Sequence, residues 1–399
     1  MATRSKNGFY LAGGRILSST GDSIYGLTVV WYIYQITHST IYTGATFLLI
    51  YSAQALHFLF GPIIERVHKK RILVYTQLSQ FVIMCMVPLA IIFHFENLYL
   101  ILTVVFIVSV LENIEGTAEI SIVPSLMAES SIAKYNAIVN SAQQIVNVMM
   151  AFAFSFIIFY ISVKDIYLFN AFTYLIAFLL FMKLKYDKSN YSLKEKPNGY
   201  MIGLKEGFEY FKSSIFIWIT LPLAIVNGVL SGLNAVIPKY AEELGDQNSY
   251  GWIMFSISCG LLIGSLVSQY FVRFQVGRLV SMAALVIFIL LLLSYFIHHV
   301  VISIIILGLA LIPLGIINMS LLTFTQTNVN ENYLARVVSI SESILFIMMP
   351  LGAIIGGVIA QLWQASIVIL IAAFTFAWIS LLFISKRKLK NLPSIVNKE

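Results

Sequence analysis

Runs of about 20 mostly apolar residues, the length an α-helix needs to cross a hydrocarbon layer, recur twelve times along this 399-residue chain and leave little else. They fall at 8–35, 41–64, 72–93, 97–122, 137–161 and 166–184, and again at 214–238, 249–272, 279–297, 300–326, 337–361 and 364–385. In a bilayer no water is at hand for backbone N–H and C=O groups, so each run has to satisfy them internally as a helix. The expected fold is therefore an all-α polytopic membrane protein. Composition agrees: 59% of residues are hydrophobic and 11% charged, against about 25% charged in soluble domains. The longest polar interval, 183–213, is below the roughly 40 residues that fold alone. The first run contains Arg15 and Asp22 and lacks a small-residue cleavage site, so it reads as a first span and not as a signal peptide. Cys85 and Cys259 lie within apolar runs and read as small buried hydrophobes, not as a disulfide.

The basic residues orient these spans. With the N-terminus inside, the inner segments hold Arg4 and Lys6, then Arg66, Lys69, Lys70 and Arg71, then Lys134. Seven lysines between 183 and 212, Arg273, Arg278, Arg336 and five Lys/Arg from 386 onward follow on the same side. Only Lys164 and Lys239 fall outside, and Arg15 lies within a span. Positive charge marks the cytoplasmic side, so both termini are expected there, and the net charge of +7 reads as orientation, not as nucleic-acid affinity. The division that follows is a six-helix bundle at 1–184, a cytoplasmic linker at 185–213, a second six-helix bundle at 214–385 and a basic cytoplasmic tail at 386–399. The halves resemble one another. Short basic turns at 61–71 and 270–278 occupy matching places, as do 133–136 and 334–337. Weak six-span repetition of this kind marks transporters built from two pseudo-symmetric bundles.

Gly61-Pro-Ile-Ile-Glu65-Arg66-Val-His-Lys69-Lys70-Arg71 resembles the G-x-x-x-D-R-x-x-R-R loop between helices 2 and 3 of the major facilitator superfamily, with Glu65 in place of the aspartate. Ser18-Ser-Thr-Gly21-Asp22, followed by Trp31, Thr37 and Ser39, is similar to the opening of its macrolide-efflux and enterobactin-exporter branch. The Gly-Pro-x-x-Gly-Gly pattern of drug antiporters is absent from span 5, where 149–157 reads Met-Met-Ala-Phe-Ala-Phe-Ser-Phe-Ile, while a similar run occurs in span 11 at 350–357. The resemblance implies a drug:proton antiporter fold working by alternating access. It also implies a latch between the bundles made by Gly61, Glu65, Arg66, Lys70 and Arg71.

Ionisable groups within spans are costly and usually functional. Here they are Arg15, Asp22, Glu112, Glu115, Glu119 and Glu342. A rise of about 1.5 Å per residue puts Asp22 and Glu112 near the midplane and Arg15 about 10 Å toward the cytoplasm. Residues 112, 115 and 119 form one helical stripe, and 15 and 22 share a face. The resemblance implies that helices 1 and 4 line the central cavity. Arg15 is thus expected to face Glu115 or Glu119, with Arg15 and Glu119 as the candidate intramembrane ion pair. Burial favours the neutral form of a carboxyl and an adjacent arginine favours the charged form. Asp22 and Glu112, with Glu115 next along the stripe, are therefore the candidate proton-coupling residues. Asn140, Gln144 and Asn147 on span 5, Asn227, Ser231 and Asn234 on span 7, and Glu342 on span 11 are candidate cavity residues, although helix–helix hydrogen bonding would use the same amides.

No nucleophile motif, metal-ligand cluster or phosphate loop such as G-x-x-x-x-G-K-[ST] is present, so neither a metal nor any other cofactor is expected and a membrane enzyme or sensor is poorly supported. The function expected is proton-coupled export of an amphipathic organic compound, of drug or macrolide type or a siderophore or metallophore. Lipid or glycolipid flipping by the same fold is the alternative. The expected partners are the small-molecule substrate, protons and the lipid bilayer, with no nucleic acid, and the chain is expected to act as a monomer in the cytoplasmic membrane of a bacterium.

Overall fold

The computed structural model describes residues 2–55, 67–95, 97–126, 129–186, 208–245, 249–297, 299–329 and 331–394. Its long helices are α1 (Ala2–Thr37), α2 (Thr40–Ala55), α3 (Lys69–Ile92), α4 (Leu98–Leu126), α5 (Glu129–Tyr160) and α6 (Val163–Met182). They continue with α7 (Phe216–Glu243), α8 (Ser249–Val267), α9 (Val276–Phe296), α10 (Val300–Asn328), α11 (Glu331–Leu362) and α12 (Ala365–Ser385). A four-residue helix, α13 (Arg387–Lys390), closes the described chain. Among the described residues, ten helices, α3 to α12, are long and apolar enough to cross a membrane. The 36-residue α1 carries Arg15 and Asp22, and the described part of α2 is 16 residues.

Short connectors break the helices at residues that tolerate the turn. His38 and His94 take positive φ, at 48° and 56°, a region that histidine enters more readily than most residues. Ser162 starts α6: its Oγ accepts from the Asp165 backbone N–H at 3.3 Å and donates to the Asp165 carboxylate at 2.6 Å. That cap satisfies a free donor of the first turn and places an acid at the positive end of the helix. Glu243, the last residue of α7, does the same across space. Its carboxylate accepts from Ala365 N at 2.7 Å and Ser366 N at 3.2 Å, the first two donors of α12.

The chain divides into two compact units, residues 1–36 with 49–194, and residues 37–48 with 195–399. The first turns of α2 therefore group with the second unit, a division that the apolar runs do not mark. Polar contacts join this segment to the second unit, and Gly44 packs against the backbone of Ala353. Thr40 Oγ1 donates to the Gly357 carbonyl and Thr43 Oγ1 to the Ala235 carbonyl, each at 2.6 Å, and Gln361 accepts from Thr40 N at 3.0 Å.

Small residues set how closely helices pack in the second unit. A Cβ on Gly352 would run into the backbone of Gly228, and one on Gly356 into that of Gly232, so α7 and α11 touch backbone to backbone. Gly260 and Gly264 of α8 meet Gly308, Ile312 and Gly315 of α10 in the same way. This is the small-residue packing that membrane helices use in place of a hydrophobic driving force. In the first unit, Leu11, Leu73, Ala118, Ile122, Phe181 and Leu184 form a buried cluster that holds α1, α3, α4 and α6 together. Gly14 gives the Phe181 ring its place in that cluster.

Candidate functional site

The polar residues of the first unit gather on α1, α3, α4 and α6. Gly21 lets α1 approach α6, because a Cβ there would strike the side chains of Asn170 and Thr173. The close approach brings the Tyr174 hydroxyl within 2.6 Å of Asp22 Oδ1, to which it donates. Ser18 Oγ, one turn earlier, donates to Asp22 Oδ2 at 3.4 Å. Glu112 of α4 lies near both Asp22 and Tyr174.

About two turns along α1, Arg15 lies between two acids of α4. Its Nε is 3.3 Å from Glu119 Oε2 and its Nη1 is 4.0 Å from Glu115 Oε1. Tyr135 donates its hydroxyl to Glu119 Oε1 at 2.9 Å. Glu115 is 1% exposed and Glu119 7%.

Gln77 of α3 joins the two groups. Its Nε2 lies 2.5 Å from Glu115 Oε2, to which it donates, and 3.2 Å from Ser18 Oγ. The polar path therefore runs from Tyr174 through Asp22, Ser18, Gln77, Glu115, Arg15 and Glu119 to Tyr135. Gln80, one turn further along α3, is fully buried, and neither atom of its amide has a partner among the described residues. Four carboxyls face a single guanidinium in this network. Full ionisation would leave three uncompensated negative charges in a buried place, which a protein interior does not hold without protons or a cation.

The remaining candidate residues fall into different places. Asn147 accepts a hydrogen bond from Ser23 at 2.6 Å, and Gln143, not Gln144, donates to Ser19 Oγ at 2.9 Å, so α5 meets α1 through those two amides. Gln144 is exposed, and the side chain of Asn140 lies outside the described residues. Asn227 and Asn234 are half-buried on α7, and Glu342 is exposed on α11. Gly61, Glu65 and Arg66 lie outside the described residues. Lys70 donates to the Met182 carbonyl at 2.8 Å; a lysine there complements the negative end of α6. Arg71 is exposed. Sequence reasoning missed Gln77, Tyr135, Gln143 and Tyr174. The signal for Gln77 was present, an amide inside an apolar run with a second at i+3, whereas the tyrosines are two among 21.

Ten apolar helices of spanning length among the described residues and a buried charged network mark a multi-pass membrane protein. The family model of the Major Facilitator Superfamily matches residues 11–349, and the chain belongs to that superfamily. It is accordingly a transporter and not an enzyme. An uncharacterized MFS-type transporter of Bacillus subtilis (strain 168), YvqJ, is 23% identical over 398 residues, covering 96% of this chain and 93% of the relative. Among solved structures, the nucleoside transporter NupG superposes with a TM-score of 0.72 at 14% identity, covering 95% of this chain and 98% of that one. A bacterial homologue of the iron transporter ferroportin, in an inward-facing state, gives 0.74 at 14% identity, over 95% of this chain and 98% of that one. At such identities these structures share the fold, and fold alone does not fix a substrate.

Proposed function

We propose that this transporter is a proton-coupled exporter of amphipathic organic compounds that are neutral or cationic. It works by alternating access, with twelve spans and both termini on the cytoplasmic side of a bacterial cell membrane. The observation that carries this reading is the buried network of Asp22, Glu112, Glu115 and Glu119 around one arginine. Its excess of carboxyls is a place for protons or a positively charged solute, and the two compete for it. Binding one then favours leaving of the other, which is the minimum that an antiporter requires. Arg15 is already held by Glu115 and Glu119, so it is poorly placed to receive an anionic solute. That favours a drug-like or macrolide-like cation over an anionic siderophore. The Ser18–Asp22 motif supports the macrolide-efflux branch, and the bacterial relative supports the membrane.

Everted vesicles carrying the protein test this, with a pH-sensitive dye reporting the imposed proton gradient. Addition of a cationic amphipath should discharge the gradient, and an anionic metallophore should not. A panel of cationic and neutral amphipaths that all leave the dye signal unchanged, in vesicles where the protein is present, would overturn the proposal.

A further inference from the structure

We infer that residues 386–394 of the C-terminal tail of the second unit are folded into a binding site for the phosphate headgroups of anionic phospholipids. The tail does not simply leave the last span. It turns back onto the start of α9, where Val276 N donates to the Pro393 carbonyl at 3.3 Å and Gln275 pairs with Ser394 as an isolated antiparallel bridge. Leu389 and Leu392 are 2% and 3% exposed, so the turn has its own buried face. Gly277 makes the fit possible, because a Cβ there would strike the carbonyl oxygens of Leu389 and Lys390.

Folding the tail this way gathers charge from separate segments. Arg273 and Arg278 come from the α8–α9 connection and the start of α9, and Lys386, Arg387, Lys388 and Lys390 come from the tail; all six are exposed. Among the described residues none of the six is in an ion pair. The same end carries exposed aromatic rings. Trp218, in the first turn of α7, is 54% exposed with Lys388 Nζ at 5.9 Å from its ring centroid, and Tyr270 and Phe274 flank Arg273. Exposed tryptophan and tyrosine at the ends of spans sit at headgroup level. Clusters of four to eight Lys/Arg just beyond a span bind anionic lipid, each contributing about a fivefold gain in association near the surface. Position at the ends of α7, α9 and α12 makes the source of the phosphate a membrane lipid and not a solute.

The test is retention of lipid by the full-length protein in detergent, titrated with phosphatidylglycerol or phosphatidylcholine and read by native mass spectrometry. Wild type should retain phosphatidylglycerol at least about tenfold better than phosphatidylcholine, and the variant K386Q/R387Q/K388Q/K390Q should lose that preference. Gly277→Val keeps every charge but blocks the fold of the tail, and should lose most of the preference too. If that variant does not fold, Leu389→Ser serves the same purpose from the tail side. Wild-type retention by the quadruple variant would remove the site. Wild-type retention by Gly277→Val or Leu389→Ser would show diffuse charge instead of a folded site and overturn the inference. Millimolar inorganic phosphate should not displace the lipid; complete displacement would mean a soluble-anion site and would also overturn it. None of these readouts depends on transport.

Discussion

Removal of the Arg15 guanidinium should destabilise the first unit more than it disturbs coupling, and its two acids should share the effect. At an effective dielectric constant of about 20, the attraction is about 5 kcal/mol at 3.3 Å and about 4 kcal/mol at 4.0 Å for Glu119 and Glu115 respectively. Arg15 is therefore divided almost evenly between them. Desolvation offsets much of this, but breaking a buried pair from one side leaves an uncompensated charge and costs about 3–5 kcal/mol. Arg15→Ala should show that cost in unfolding followed in mixed micelles. Glu119→Ala alone should cost less, because Glu115 keeps Arg15 and Tyr135 loses one hydrogen bond worth about 1 kcal/mol. The double variant should recover part of the Arg15→Ala loss, with a coupling energy of about 0.5–3 kcal/mol. Adding Glu115→Gln should recover more, since Glu115 is the acid still uncompensated. Cycles additive to within about 0.5 kcal/mol for both acids would refute the sharing of Arg15.

Other outcomes follow from the same geometry. Gln77→Leu should slow solute-induced proton movement in vesicles and cost about 1–3 kcal/mol of stability by leaving Glu115 without its amide donor; wild-type proton flux would exclude Gln77 from the path. Gly352→Val should destabilise the second unit by about 1–3 kcal/mol or more through overpacking, read as a lower unfolding midpoint, and an unchanged midpoint would mean that α7 and α11 are not in backbone contact. Glu65→Ala and Arg66→Ala should each reduce transport at normal membrane abundance if that motif forms the latch that its family resemblance implies, and normal transport by both would remove the latch.

Much of the architecture was legible because the bilayer imposes it. A run of about 20 apolar residues has no alternative to a helix, and the runs from 72 onward fall on α3–α12, although α5 starts at Glu129 and α11 at Glu331, well ahead of the runs that begin at 137 and 337. The glycine pairs at 260/264 and 352/356 stand at the four-residue spacing of close helix packing, but that spacing does not name their partners, Gly308, Gly315, Gly228 and Gly232. The acidic stripe at 112, 115 and 119 follows from helical periodicity alone. What periodicity does not carry is the identity of a partner on another helix. Gln77 reaches Glu115 and Ser18 from a third helix, and Tyr174 reaches Asp22 from a fourth. On α5, polar residues stand at both 143 and 144, so the sequence leaves the inward face ambiguous by one position, and it is Gln143 that meets Ser19. The grouping of residues 37–48 with the second unit, where Thr40 and Thr43 bond to α11 and α7 and Gly44 lies against the backbone of α11, is invisible in hydropathy.

The central claim is that Asp22, which accepts from the Tyr174 hydroxyl, and the neighbouring Glu112 carry the coupling proton. The direct measurement uses purified Asp22→Asn and Glu112→Gln in proteoliposomes with an imposed pH gradient, loaded with a solute found in the vesicle screen. Neutral side chains of the same shape should abolish accumulation against the solute gradient and the accompanying proton flux, while downhill equilibration and solute binding persist. Concentrative transport that survives in both variants would contradict the account.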